Sequence, residues 1–100
     1  MTLLRVWAPL PRSVELDSGG RRTPMDRQDG GWWTGEVGGP DTDYSFVLDG
    51  GDPRPDPRSA WQPQGVHGPS RVVDHDAFAW TDATWRGVPL AGSVLYELHV

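Results

Sequence analysis

One hundred residues make at most one small domain, and this one carries 9 Lys and Arg against 14 Asp and Glu, a formal net charge of −5. That balance argues against a partner with a phosphate backbone or an anionic membrane surface, both of which call for a basic face. With no cysteine there is neither a disulfide framework nor a thiolate metal site, and no run approaches the roughly 18–20 apolar residues of a membrane helix. Met1–Leu10 has one arginine and a Pro-interrupted apolar stretch, which is not a secretory signal. The expected location is therefore cytoplasmic. Thirteen glycines and ten prolines bring the chain near the composition of disordered segments, but six Trp, two Tyr and two Phe point to an aromatic core.

Periodicity favours strands throughout, because no dozen residues keep a helical spacing without a Gly or Pro. Leu3–Ala8 reads as a strand with Leu4, Val6 and Ala8 on one face and Leu3, Arg5 and Trp7 on the other. Pro9 and Pro11 stop it. Ser13–Asp17 follows with Val14 and Leu16 inward, and Ser18-Gly19-Gly20 turns the chain. A strand around Thr23–Arg27 is expected to meet Trp32–Val37 in a hairpin through Asp29-Gly30-Gly31, since Asp-Gly suits a type I′ turn. In Tyr44–Leu48, Tyr44, Phe46 and Leu48 alternate with Ser45 and Val47, and Asp49-Gly50-Gly51 closes the run.

Residues 53–69 hold five of the ten prolines and read as extended, irregular chain. Trp61 and Val66 inside it suggest a loop pinned to a surface. Arg71–Asp74 is a further short strand. Ser93–Val100 ends the sequence as an apolar strand without a polar tail, which suggests a chain cut inside a longer protein. Turn signals every 8–12 residues between short alternating runs predict an all-β sandwich.

The residues that could carry chemistry are few. Glu97 lies between Tyr96 and Leu98. His67, His75 and His99 are 8 and 24 residues apart, a spacing no metal motif shares. Ser70, His67 and Asp74 are the right types for nucleophilic hydrolysis, but there is no Gly-x-Ser-x-Gly elbow. The glycine pairs lack the Gly-Lys-Ser/Thr of a phosphate loop. No catalytic residue, metal or cofactor is expected. The tryptophans are the exception. Adjacent Trp32 and Trp33 must point to opposite faces of a strand, so one of them faces solvent, a loop or a partner. Trp61 sits in the proline-rich loop, and Trp7 points outward. Trp32, Trp33 and Trp61 are the candidates for stacking on a sugar or for a domain interface.

Four segments, Leu4-Arg5-Val6-Trp7-Ala8-Pro9, Gly31-Trp32-Trp33, Asp43–Gly50 and Leu95-Tyr96-Glu97-Leu98-His99-Val100, together resemble the N-terminal region of the α-amylase superfamily of glycoside hydrolases (family 13). Asp56-Pro57-Arg58-Ser59 and Gln62–Ser70 make the chain most similar to the trehalose-releasing members, relatives of the branching and debranching enzymes. The resemblance implies an immunoglobulin-like β-sandwich, akin to the starch-binding modules of family 48, over residues 1–90. It implies that residues 91–100 are a linker and the first strand of a (β/α)₈ catalytic barrel. It further implies a parent enzyme that hydrolyses the α-1,4 bond of maltooligosyl trehalose with two carboxylates outside these 100 residues. The implied partners are that barrel and an α-1,4-glucan or maltooligosyl trehalose. A stand-alone α-glucan-binding module and a branching or debranching enzyme's domain stand as alternatives. Glycogen-binding relatives carry Asn-Asn-Trp before the hairpin and a Trp after the Asp-Gly turn. Here those places hold Thr23-Pro24-Met25-Asp26 and Asp49-Gly50-Gly51-Asp52.

Overall fold

A computed structural model describes residues 1–100. Seven strands form: β1 (Thr2–Trp7), β2 (Val14–Ser18), β3 (Arg21–Pro24), β4 (Asp26–Arg27), β5 (Trp32–Val37), β6 (Asp43–Leu48) and β7 (Ser70–Arg71). They make two antiparallel sheets, β1-β5-β4 and β3-β2-β6-β7, with no α-helix. The all-β sandwich expected from the turn spacing is what the chain adopts. No helix is long and apolar enough to cross a membrane.

Side-chain alternation decides what each strand buries. On β1, Val6 is buried and Leu4 packs against the core, while Leu3, Arg5 and Trp7 are exposed, as the alternation predicts. Val14 and Leu16 from β2, Trp33 and Val37 from β5, and Tyr44 and Phe46 from β6 meet them between the sheets. Tyr44 and Phe46 pack edge to face, their ring centroids 5.8 Å apart. Gly19 and Gly20, with φ of 61° and 79°, close the β2–β3 hairpin, a two-residue turn that asks for positive φ at both positions.

The predicted Thr23–Arg27 strand is divided. Residues 21–24 pair with β2 and residues 26–27 with β5, so the chain passes from one sheet to the other at Met25. Met25 is buried there, its amide bonded to Val14 O at 2.9 Å. Its thioether chain lies over Gly35, where a Cβ would meet Met25 Cγ at 3.1 Å. A flexible apolar side chain fills such a crossing well. The Asp29-Gly30 hairpin is formed, but not as a two-residue type I′ turn. Asp29–Gly31 is a 3₁₀ turn, and the positive φ values fall on Gly30 and Gly31. The reason is contact across the sheet: Gly31 O accepts from Ala8 N at 2.8 Å, and Gly31 presses so closely on Pro9 that a Cβ would stand 2.8 Å from Pro9 Cβ.

One further expectation is corrected. The strand expected over 71–74 shrinks to Ser70–Arg71, because only Asp43 and Tyr44 of β6 face it in register. Ser93–Val100 pairs with no strand of the sandwich and lies exposed, since no sheet edge of this chain runs beside it. Beyond Asp74 the chain has one 3₁₀ turn, His75–Ala77, capped by Asp74 Oδ1, which accepts from Asp76 N at 3.0 Å.

Candidate functional site

The four tryptophans of interest divide by strand geometry. Trp33 points inward and is only 4% exposed, and its Nε1 donates to Ala8 O at 2.9 Å. It is a core residue and is withdrawn as a surface candidate, since the even–odd alternation of β5 gave the core its side chain and left Trp32 outside. Trp32 is half-buried on the outer face of the three-stranded sheet, directly across from Trp7. The Arg5 guanidinium lies 4.9 Å from the centre of its ring. A guanidinium over the indole is a cation–π contact, and it occupies a face a sugar would need.

Trp7 faces outward, as the strand alternation predicts, and is the more exposed of the pair, at 59%. Its Nε1 donates to Gly30 O at 3.0 Å, which fixes the ring against the β4–β5 hairpin. With Pro9, Leu10, Pro11 and Leu48 it lines an open apolar depression of about 740 Å³. The alternation Leu3-Arg5-Trp7 already carried the signal for this residue.

The proline-rich loop carries the third candidate. It is pinned, though not by Val66, which is 76% exposed. Its polar groups hold it instead. Arg54 exchanges two backbone bonds of 2.8 Å with Phe46. Asp56 is buried: its Oδ2 accepts from Tyr44 Oη at 2.9 Å, its Oδ1 accepts from Arg58 N at 2.7 Å, and its own N–H donates to Ser70 Oγ at 2.9 Å. Burial, and then the bond to the Asp56 carboxylate, push the Tyr44 phenol well above its ordinary value. No buried side-chain polar atom lacks a partner. Ser70 is wholly enclosed in this network, so its hydroxyl is no nucleophile.

At the far end of the loop, Trp61 is 45% exposed. Its carbonyl accepts from Arg71 N at 2.8 Å and from Ser59 Oγ at 3.1 Å. The Arg71 guanidinium sits 5.1 Å from its ring centre. Arg71 is itself clamped by Asp43, its partner across β6 and β7, with Nε to Oδ1 at 2.5 Å and Nη2 to Oδ2 at 3.0 Å. The bond to Arg71 holds the Asp43 carboxyl below its ordinary value, and the same bond raises the guanidinium. Gln64 Nε2 also donates to Asp43 Oδ2, at 3.4 Å. Trp32, Trp33 and Trp61 thus share no single site: one is core, one faces out beside Trp7, and one rides on the loop. No group of three or more His, Asp or Glu side chains converges as metal ligands would. Glu97 and His99 lie exposed, 3.7 Å apart.

A β-sandwich of two antiparallel sheets is the fold class this chain shares with part of an α-amylase-like protein. Over 87% of its length the chain superposes, with a TM-score of 0.81 and 37% identity, on 15% of a crystal structure from Salmonella typhimurium provisionally described as an alpha amylase. The sequence narrows this further. The chain is 47% identical over 95% of its length to a malto-oligosyltrehalose trehalohydrolase of Rhizobium sp. (strain M-11), covering 17% of that protein. It is 44% identical over 99% of its length to the Deinococcus radiodurans protein of the same name, covering 16% of it. It is also 44% identical over its full length to the Mycobacterium tuberculosis one, covering 18%. No family model matches the chain. The resemblance read from the motifs is borne out. The chain is similar over nearly its whole length to a segment of these proteins and spans about 17% of the length of the first of them.

Proposed function

We propose that this chain is the accessory N-terminal domain of a glycoside hydrolase that releases trehalose from maltooligosyl trehalose by α-1,4 hydrolysis in the cytoplasm. Residues 1–90 form the sandwich, and residues 91–100 are the linker and the first strand of a (β/α)₈ catalytic barrel. The sandwich packs on that barrel and borders its substrate cleft, while the catalytic carboxylates belong to the barrel.

The observation that carries this reading lies after the last paired strand. Phe78, Trp80, Trp85, Leu90, Leu95 and Tyr96 are all exposed. Large apolar surface of this kind marks an interface, because each Å² removed from water contributes about 25 cal/mol. The end-to-end similarity to trehalohydrolase domains supports the identity of what covers it. Trp32 and Trp61 remain the candidates for contact with the barrel or the glucan.

The test is trehalose release from maltooligosyl trehalose by a longer chain in which this domain precedes a barrel, compared with the same chain lacking residues 1–90. The expected result is loss of most of the release and a lower melting temperature. Unchanged rate and stability in the shortened chain would overturn the reading.

A further inference from the structure

Four strands end a sheet in this fold, and three of them offer little to a further strand. β4 and β7 are two residues long. β3 turns Arg22 and Pro24 outward, where a proline has no N–H to donate. β1 is different. It runs for six residues and pairs only with β5. Ala8 N donates to Gly31 O in the same register, which turns the backbone groups of Thr2, Leu4 and Val6 toward β5 and those of Leu3, Arg5 and Trp7 away from it. No hydrogen bond within the chain reaches the N–H and C=O groups of these last three residues. An open edge of this length is a template for another strand.

The side chains beside the edge select its partner. A groove of about 280 Å³ lies between the edge and the proline-rich loop, lined by Leu3, Leu4, Arg5, Asp56 and Arg58. Arg5 and Arg58 are exposed, and neither guanidinium is in an ion pair. Asp56 does not neutralise them, because its carboxylate accepts from Tyr44 Oη and from the backbone N–H of Arg58. Glu36, across from Leu3 on β5, is not paired with Arg5 either. In a chain of net charge −5, two unpaired guanidinium groups at an open edge are a local exception that attracts carboxylates. On the outer face Arg5 stands between exposed Leu3 and Trp7. Directly opposite residues of neighbouring strands touch. The complement is therefore a strand with a carboxylate opposite Arg5, a second carboxylate next to it for Arg58, and apolar residues two positions to either side of the first.

We infer that the free edge of β1, with Arg5 and Arg58, is a docking site for an extended acidic segment of a separate polypeptide. The segment adds to β1 antiparallel, as β5 does on the other side, and makes β1-β5-β4 a four-stranded sheet. Residues 78–100 of this chain are not that segment: they follow β7 and leave the edge unpaired. The site is separate from Trp61 and from the exposed 78–100 region, so it holds whether or not the domain serves trehalose release.

The experiment is amide hydrogen exchange of the 100-residue chain titrated with the peptide acetyl-Thr-Val-Thr-Glu-Glu-Val-Thr-amide. The expected result is a saturable slowing, by at least about tenfold, at the Leu3, Arg5 and Trp7 amides, which the added strand engages. The same peptide with both Glu replaced by Lys leaves these amides unchanged. Arg5→Glu, with its melting temperature close to that of the parent, loses the acidic peptide and gains the Lys peptide, and Arg58→Ala weakens the acidic peptide several-fold. The inference is overturned if the acidic peptide slows none of the three amides, if the Lys peptide slows them equally, or if Arg5→Glu binds the acidic peptide as the parent does. It is also overturned if the amides slow with protein concentration alone, which makes a second copy the occupant. Slow exchange without peptide in a longer chain carrying a barrel overturns it as well, because the parent polypeptide then covers the edge. None of these readouts uses trehalose release, so failure here is distinct from failure of the proposed function.

Discussion

Residues 2–72 and residues 78–100 are both rich in large apolar side chains, yet all 14 buried residues fall between Val6 and Val72. Trp33 and Trp80 are the same residue type, one enclosed between sheets and the other exposed. The difference lies in hydrogen-bonded partners. Every strand of the first region finds an edge that satisfies its backbone and sets its side chains on a shared face. The second region has apolar content but no neighbouring edge, so its side chains have no surface to cover. Burial here follows from non-local pairing and only secondarily from composition.

The comparison predicts unequal responses to truncation. The largest effect is expected for Phe46→Ala in β6. Phe46 is buried in the main cluster, and large-to-small core changes of this kind cost about 3–5 kcal/mol. A denaturant midpoint that stays in place would show that Phe46 does not carry the core. Next is Gly31→Ala. A Cβ there meets Pro9 at 2.8 Å at a φ of +84°, and such strain costs about 1–3 kcal/mol. Unfolding curves that overlay those of the parent would mean that the hairpin and β1 move apart freely.

Tyr44→Phe comes third, at about 1–3 kcal/mol, because it leaves the buried Asp56 carboxylate short of a donor. The same tyrosine predicts an alkaline limb. Its folded value is raised, so its contribution is complete below the ordinary tyrosine value of 10.0 and declines as the pH rises beyond it. Stability measured above pH 10 should fall in the parent and fall less in Tyr44→Phe. Equal slopes would remove the phenol from the network.

Asp43 supplies a smaller effect of opposite sign. Its folded value is depressed, so its stabilising contribution is present above the ordinary aspartate value of 3.8 and is lost as the pH falls through the lower folded value. The stability gap between the parent and Asp43→Asn should therefore close in acid. A gap independent of pH would mean that the Arg71 clamp is not electrostatic. Smallest of all, Leu95→Ala should change stability by no more than about 0.5 kcal/mol, as exposed substitutions do. A larger loss would show that the 78–100 region is packed after all.

Much of the sandwich was legible in the order of residues. Alternation in Leu3–Ala8 and Ser13–Asp17 assigned the inner faces, since a strand's period of two leaves little choice once the apolar residues are counted, whereas in Tyr44–Leu48 it picked out Tyr44 and Phe46 but not that Ser45 and Val47, on the opposite face, are buried as well. The split at Met25 was not legible, because a strand that changes sheets has the same local pattern as one that does not. The type of the Asp29–Gly31 turn was likewise hidden, since it depends on the close approach of Gly31 to Pro9, 22 residues earlier. The candidate site was half legible. Adjacent tryptophans must diverge, but which of Trp32 and Trp33 enters the core depends on the register with β1. Trp61 was recognised by type, while Arg71 and Asp43 were invisible as its supports because they lie 28 residues apart and meet only through β6–β7 pairing.

By itself the amino-acid sequence determined the all-β class, the inward residues of β1 and β2, the turn positions and the resemblance to malto-oligosyltrehalose trehalohydrolases. These depend on local periodicity, glycine and proline stereochemistry and ordered motifs. Tertiary structure alone decided which tryptophan is buried, that Asp56 and Arg54 hold the proline-rich loop, and that Trp61 is held half exposed beneath a clamped guanidinium. Those outcomes require groups far apart in sequence to meet at hydrogen-bonding distance, which no local pattern specifies.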